Sequence, residues 1–206
     1  MISTRTEEAI LPFRTTKAQV TMVTRFKSTW VTSSQLALRE RGVFDRYKEL
    51  LPVELHTALV FAVAGEWLPT PLVVSHYECC DQLGLSDAEV FTVGAAVTRR
   101  VHDSALRWVA GLATATGAVT PWTILSRLDR LWDRVIENGG IAVFQVGPQD
   151  ARIELAAFPL AHVMYIRLAL RGVLTAVTEL FCKRATVREV RELRRPHQLT
   201  FLASWV

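Results

Sequence analysis

The run from Ile141 to Val206, IAVFQVGPQDARIELAAFPLAHVMYIRLALRGVLTAVTELFCKRATVREVRELRRPHQLTFLASWV, decides the fold. Ile141–Val146 is apolar and β-prone, and Gly147-Pro148-Gln149-Asp150 breaks it. In the stretch 151–158, Ile153 and Leu155 alternate with Arg152 and Glu154, the period of a half-buried hairpin strand. Pro159 opens a new element. Over 161–181, Val163, Ile166, Leu170, Val173, Leu174, Val177 and Leu180 recur at helical spacing and form an apolar stripe. Residues 187–193 and 199–205 read as a second hairpin around Arg194-Arg195-Pro196-His197, with Leu199, Phe201, Ala203 and Trp205 on one face. The order is ββαββ. The apolar helix stripe requires the inner face of the sheet, so the fold class is α+β, a helical layer on an antiparallel sheet.

Outward from this block, the length of 206 residues suits one domain. The division expected is an N-terminal arm over 1–18, disordered or packed on a partner, and a single ligand-binding-like domain over 19–206. Half of the residues are hydrophobic, enough for a core without disulfides. The net charge of +4 is spread over pairs such as Arg99-Arg100, Lys183-Arg184 and Arg194-Arg195. Pairs of this kind read as a solvated surface, and no nucleic-acid partner is expected. Three cysteines, two of them adjacent at Cys79-Cys80, do not make a disulfide framework. No apolar run follows basic residues at the N-terminus, and apolar stretches such as Leu55–Ala64 are too short to span a bilayer. A cytoplasmic location without a membrane span is the expectation.

Between arm and block the chain reads as helical. Short strands fit 19–31. Ser33-Ser34 can cap a helix over 35–41, stopped by Gly42. Helices follow over 43–51 and 53–64, with a turn at Gly65-Glu66-Trp67-Leu68-Pro69. Another helix covers 72–83 and ends at Gly84. Ser86 and Glu89 have capping-box spacing for a helix running to about 115. Thr120-Pro121 opens a helix over 122–138, closed by Gly139-Gly140.

The order of Trp67-Leu68-Pro69, VGAAVTRRV at 93–101, PWTILSRLDRLWDRVIENGG at 121–140, RGVLTAVTEL at 171–180 and a last strand ending in Ser204-Trp205 resembles a family of myxobacterial proteins. That family is similar to the 4-vinyl reductase-like domain. The wider superfamily includes haem nitric-oxide-binding-type sensors and subunits of the Golgi transport protein particle. The resemblance implies a small-molecule-binding or scaffold fold, commonly dimeric, with no shared reaction. The 4-vinyl reductase-like domains often carry cysteines near the C-terminal hairpin, whereas 184–206 contains none here. A structural metal of that kind is therefore not expected.

The candidate site residues are few. His102 sits on a predicted helix, and the related sensors bind haem through a helix histidine. Yet Asp103, its neighbour, points elsewhere and cannot orient it, so the preferred reading is a surface or core histidine. His76 stands four residues before Cys80 and three before Cys79, a spacing that can hold a metal. With no matching pair elsewhere, no metal is expected. The resemblance to the Golgi subunits implies an acylated cysteine, but Glu78 and Asp81 raise rather than lower a neighbouring thiol pKa. No phosphate loop, nucleophile elbow or paired-histidine motif is present, which argues against an enzyme.

The reading that results is a non-catalytic sensing or regulatory module that binds a small apolar ligand as a homodimer, with no cofactor. Its pocket is assigned to Trp108, Trp122, Cys79, Cys80 and Gly172, the tryptophans by analogy of fold alone. Gly172 belongs to a small-residue strip, with Ala169 and Ala176, that marks a close packing groove. The alternative is a scaffold that recruits a protein partner without a small ligand, with a haem-based sensor or an enzyme behind it.

Overall fold

In a computed structural model, which describes residues 7–97 and 120–206, strands β1 (Glu8–Leu11), β5 (Gly140–Gly147), β6 (Asp150–Ala156), β8 (Leu199–Trp205) and β7 (Ala185–Glu189) lie side by side in that order. All neighbours are antiparallel. In β6, Ile153 pairs with Val143 and Phe201, and Leu155 with Ile141 and Leu199. Alternation sends Ala151, Ile153 and Leu155 into the core and Arg152 and Glu154 to the other face. There Lys17 reaches Glu154 at 2.6 Å, and Arg152 bridges Glu154 at 2.9 Å and pairs with Glu7. The helix α8 (Met164–Glu179) covers the inner face, burying Ile166, Leu168 and Leu174.

A second sheet joins β2 (Arg25–Lys27) to β3 (Trp67–Pro69) on one side and β4 (Ile136–Glu137) on the other. Phe26 on β2 is fully buried and meets Trp30 and Phe158 edge-on, with centroids 5.4 and 6.1 Å apart. The helical layer is α1 (Thr29–Glu40), α2 (Phe44–Leu50), α3 (His56–Val60), α4 (Thr70–Asp81), α5 over 87–97, α6 (Pro121–Leu125) and α7 (Leu128–Val135). The α+β class and the helical layer over an antiparallel sheet are as the sequence indicates. No helix among the described residues is long and apolar enough to cross a membrane.

Several local expectations are corrected. The main sheet begins inside the stretch read as an arm over 1–18, because residues 8–11 pair with β5. Ser34 does not cap a helix; α1 begins at Thr29 and Ser34 is buried within it. Trp67–Pro69 is an edge strand rather than a turn, with Pro69 at its end, where a missing donor does no harm. The helix expected over 122–138 breaks at Ser126-Arg127, and its end turns extended so that Ile136 and Glu137 can pair with Phe26 and Arg25. The capping box at Ser86 is present: the Glu89 carboxylate accepts the Ser86 backbone N–H at 2.8 Å. The continuation of α5 toward 115 lies outside the described residues.

Candidate functional site

The helix α4 buries Val73, His76, Tyr77 and Cys80, an i, i+3, i+4, i+7 stripe turned toward α1, α2 and α8. Two of these four side chains, His76 and Cys80, bring nitrogen and sulfur into the interior. The imidazole of His76 is fully buried, with Nδ1 2.7 Å from Tyr47 Oη and Nε2 3.7 Å from Cys80 Sγ. Cys80 Sγ lies 3.8 Å from Ser34 Oγ, which in turn stands 3.3 Å from Tyr165 Oη. A continuous polar chain, Tyr47–His76–Cys80–Ser34–Tyr165, thus crosses the helical layer. Tyr77 adds a hydrogen bond to the Trp30 carbonyl at 2.9 Å. Among the described residues no buried side-chain nitrogen or oxygen lacks a partner, as a stable buried network requires.

Burial sets the protonation of this chain. It pulls His76 down from 6.5 to about 3, so the imidazole is neutral at neutral pH. It pushes the hydroxyls of Tyr47 and Tyr165 and the thiol of Cys80 above their ordinary values. The thiol of Cys79 is also raised, first by burial and then by Glu78. Cys79 Sγ donates to the Leu50 carbonyl at 3.5 Å. Neither thiol has the depressed pKa of a nucleophile.

The chain ends at a cleft of about 240 Å³ between α4, α5 and α8. It is lined by the buried Cys80, Tyr165, Val90 and Leu168, the half-buried Leu85, and the exposed Asp81, Asp87 and Met164. The α8 side of the cleft is fixed by Asp81, whose Oδ1 accepts the Tyr165 N–H at 2.7 Å and Oδ2 the Met164 N–H at 3.1 Å. A carboxylate there satisfies two orphan donors at the start of α8 and complements the helix dipole.

The residues assigned to a pocket from sequence separate. Cys80 lines the cleft, and Cys79 is directed instead to Leu50. Trp122 packs edge-on against Trp205, with centroids 4.8 Å apart, and donates to the Pro148 carbonyl. Gly172 lies against the backbone of α5 at Phe91 and Ala95. Trp108 and His102 lie outside the described residues. Tyr47, Ser34 and Tyr165 escaped the sequence reading. The pair His76 and Cys80 was visible as i and i+4, but their partners arrive from other elements.

No family model and no curated protein matches the chain. Its backbone is similar to that of solved H-NOX structures. The Fe(II) unliganded H-NOX protein from K. algicida superposes with a TM-score of 0.61 over 87% of this chain and 96% of that chain, at 12% identity. An oxygen-binding H-NOX domain related to soluble guanylate cyclases gives 0.56 over 87% and 94%, at 15% identity. The chain has the H-NOX fold. The resemblance to haem nitric-oxide-binding-type sensors therefore holds at the level of architecture. On this H-NOX fold, the polar chain and its cleft join the helical layer to the start of α8.

Proposed function

We propose that this chain is a non-catalytic sensing module on the H-NOX fold that takes a small apolar molecule into the cleft between α4, α5 and α8. The observation that carries the reading is the cleft itself. Leu85, Val90 and Leu168 line it beside Cys80 and Tyr165, Asp81 and Asp87 add carboxylates, and its volume of about 240 Å³ lies just below the range of small-ligand sites. The thiols are held protonated and the buried histidine neutral, which supports binding rather than turnover.

The described residues do not fit a haem. His76 engages Tyr47 through Nδ1 and faces Cys80 through Nε2. His56 Nε2 is spent on the carbonyls of Lys48 and Leu51, and His162 on Pro159 and Glu78. His197 lies on an exposed turn. A haem-bound form would draw its axial ligand from His102, outside the described residues, and a Soret band lost in His102→Ala would carry that reading.

The test is thermal unfolding with small apolar probes such as indole and hexanol, alongside native mass spectrometry of gently purified protein. Stabilisation by a probe in wild type, abolished when Leu168→Trp fills the cleft, is expected. No stabilisation by any probe and no retained adduct would favour a scaffold without a small ligand.

A further inference from the structure

A second cavity, of about 270 Å³, lies between residues 12–21, which follow β1, and α7 with the start of β5. The segment is tied down at several points. Lys17 reaches Glu154 on β6 at 2.6 Å, the Thr21 carbonyl accepts the Gly139 N–H at 2.8 Å, and the Gln19 N–H closes a turn on the Thr16 carbonyl at 2.8 Å. Two glycines let the lining close in. A Cβ built at Gly140 would come 3.0 Å from Phe13 and 3.1 Å from Val20, and one at Gly139 would come 2.9 Å from the Trp132 ring. Gly139 also has a φ of +67°, which suits glycine.

The charges of this lining do not balance. Among the described residues they are Arg14, Asp129 and Asp133, one positive and two negative. Asp129 and Asp133 stand one turn apart on α7. Arg14 spans them: Nη1 donates to Asp133 Oδ1 at 3.2 Å, and Nη2 to Asp129 Oδ2 at 3.3 Å and to Asp133 Oδ2. Asp129 Oδ1 accepts the Arg130 N–H at 2.8 Å. The Arg14 side chain is 65% exposed, so water screens its ion pairs. Trp132 commits its indole N–H to the Asn138 carbonyl at 2.8 Å, which leaves its π surface for other contacts. Carboxylates and indole rings both attract cations.

We propose that this cavity binds a small aromatic cation, its charged head on Asp129 and Asp133 and its ring among Phe13, Val20 and Trp132. The Arg14 guanidinium stands in for such a head: it already sits on both carboxylates, so their spacing suits a planar cation. One negative charge remains after Arg14 is counted. An anionic ligand would meet that excess, and a neutral apolar one would leave the carboxylates unused. On an open helix face the two aspartates would be a solvated pair. The void beside them, walled by aromatic and aliphatic side chains, is what gives them a ligand to hold.

The test is calorimetric titration of the full chain with benzamidine and with its neutral counterpart benzamide. Benzamidine is expected to bind at a single site, and benzamide at least about tenfold more weakly, the effect of one charge-assisted contact. Asp129→Asn and Asp133→Asn keep the side-chain shape and should each weaken benzamidine severalfold. Arg14→Gln removes the competing guanidinium and should tighten it. Ion pairs this exposed contribute little to stability, so all three variants should melt as wild type does. Leu168→Trp, which fills the cleft between α4, α5 and α8, should leave benzamidine binding unchanged and so separates the two sites. No binding, equal binding of benzamide, no loss in either aspartate variant, no tightening in Arg14→Gln, or loss in Leu168→Trp overturns the assignment. The comparison of benzamidine with benzamide on wild type decides the charge preference even if a variant fails to fold.

Discussion

Gly94 of α5 and Gly172 of α8 meet at one helix crossing, each set against the other helix's backbone. A Cβ built at Gly172 would fall on the Phe91 carbonyl oxygen and 2.8 Å from Ala95 N; one at Gly94 would lie 2.7 Å from the Ala169 carbonyl carbon. Neither obstacle is a flexible side-chain end, so the helices must move apart to admit any side chain.

Gly172→Leu is therefore expected to destabilise the protein by roughly 1–3 kcal/mol or more through overpacking, despite the better helix propensity of leucine. Urea unfolding measures it, and a variant as stable as wild type would show that the crossing is not tight.

Stability should fall on acidification through His76. The unfolded imidazole takes a proton near 6.5, the folded one only at about 3. The folded value is depressed, so its contribution is complete above about 6.5 and is lost as pH drops toward 3, at most about 5 kcal/mol across the window. Urea midpoints followed from neutral pH downward should show this slope in wild type, and His76→Gln should flatten it.

Asp81→Ala removes both acceptors from the first turn of α8. A loss of about 1–2 kcal/mol is expected, read as a drop in melting temperature of a few degrees. Asp81→Asn, which keeps one acceptor oxygen, should lie between the two. A melting temperature unchanged in the alanine variant would mean that water replaces the cap.

Thiol labelling should separate the three cysteines. Cys79 and Cys80 are buried and Cys182 is half-buried. With a disulfide reagent on the native protein, Cys182 should react first, and the α4 pair only as fast as the fold opens. Rapid native labelling of Cys80 would show that the cleft gives its sulfur to solvent.

The sequence showed those parts of the fold that are local. Leu199–Trp205 appears as a strand with the bounds read from its alternation, and Ser86 with Glu89 starts α5 as the spacing indicates. The misreadings occur where a partner distant in sequence decides. Ile136 and Glu137 leave the helical pattern because Phe26 and Arg25 wait beside them. Glu8–Leu11 carries no strand pattern of its own and is recruited by β5. In the site, His76 and Cys80 share one helix face and so were legible. Ser34 and Tyr165, 131 positions apart, become neighbours only when α1 and α8 pack together. The small strip around Gly172 was legible as a groove, but not that the backbone of α5 fills it.

The pairing of β1 with β5 also dictates an order of assembly. Glu8 sits opposite Gln145, and the second sheet likewise joins residues 25–27 to 136–137. During synthesis, strand β1 has no partner in its sheet until Val143 to Gln145 have been made. The helical layer must wait for α8 and the hairpin of β5 and β6 before its apolar faces are covered. Such high contact order predicts slow folding, with the N-terminal strand zipped on last and the helices of the first half exposed to chaperones meanwhile.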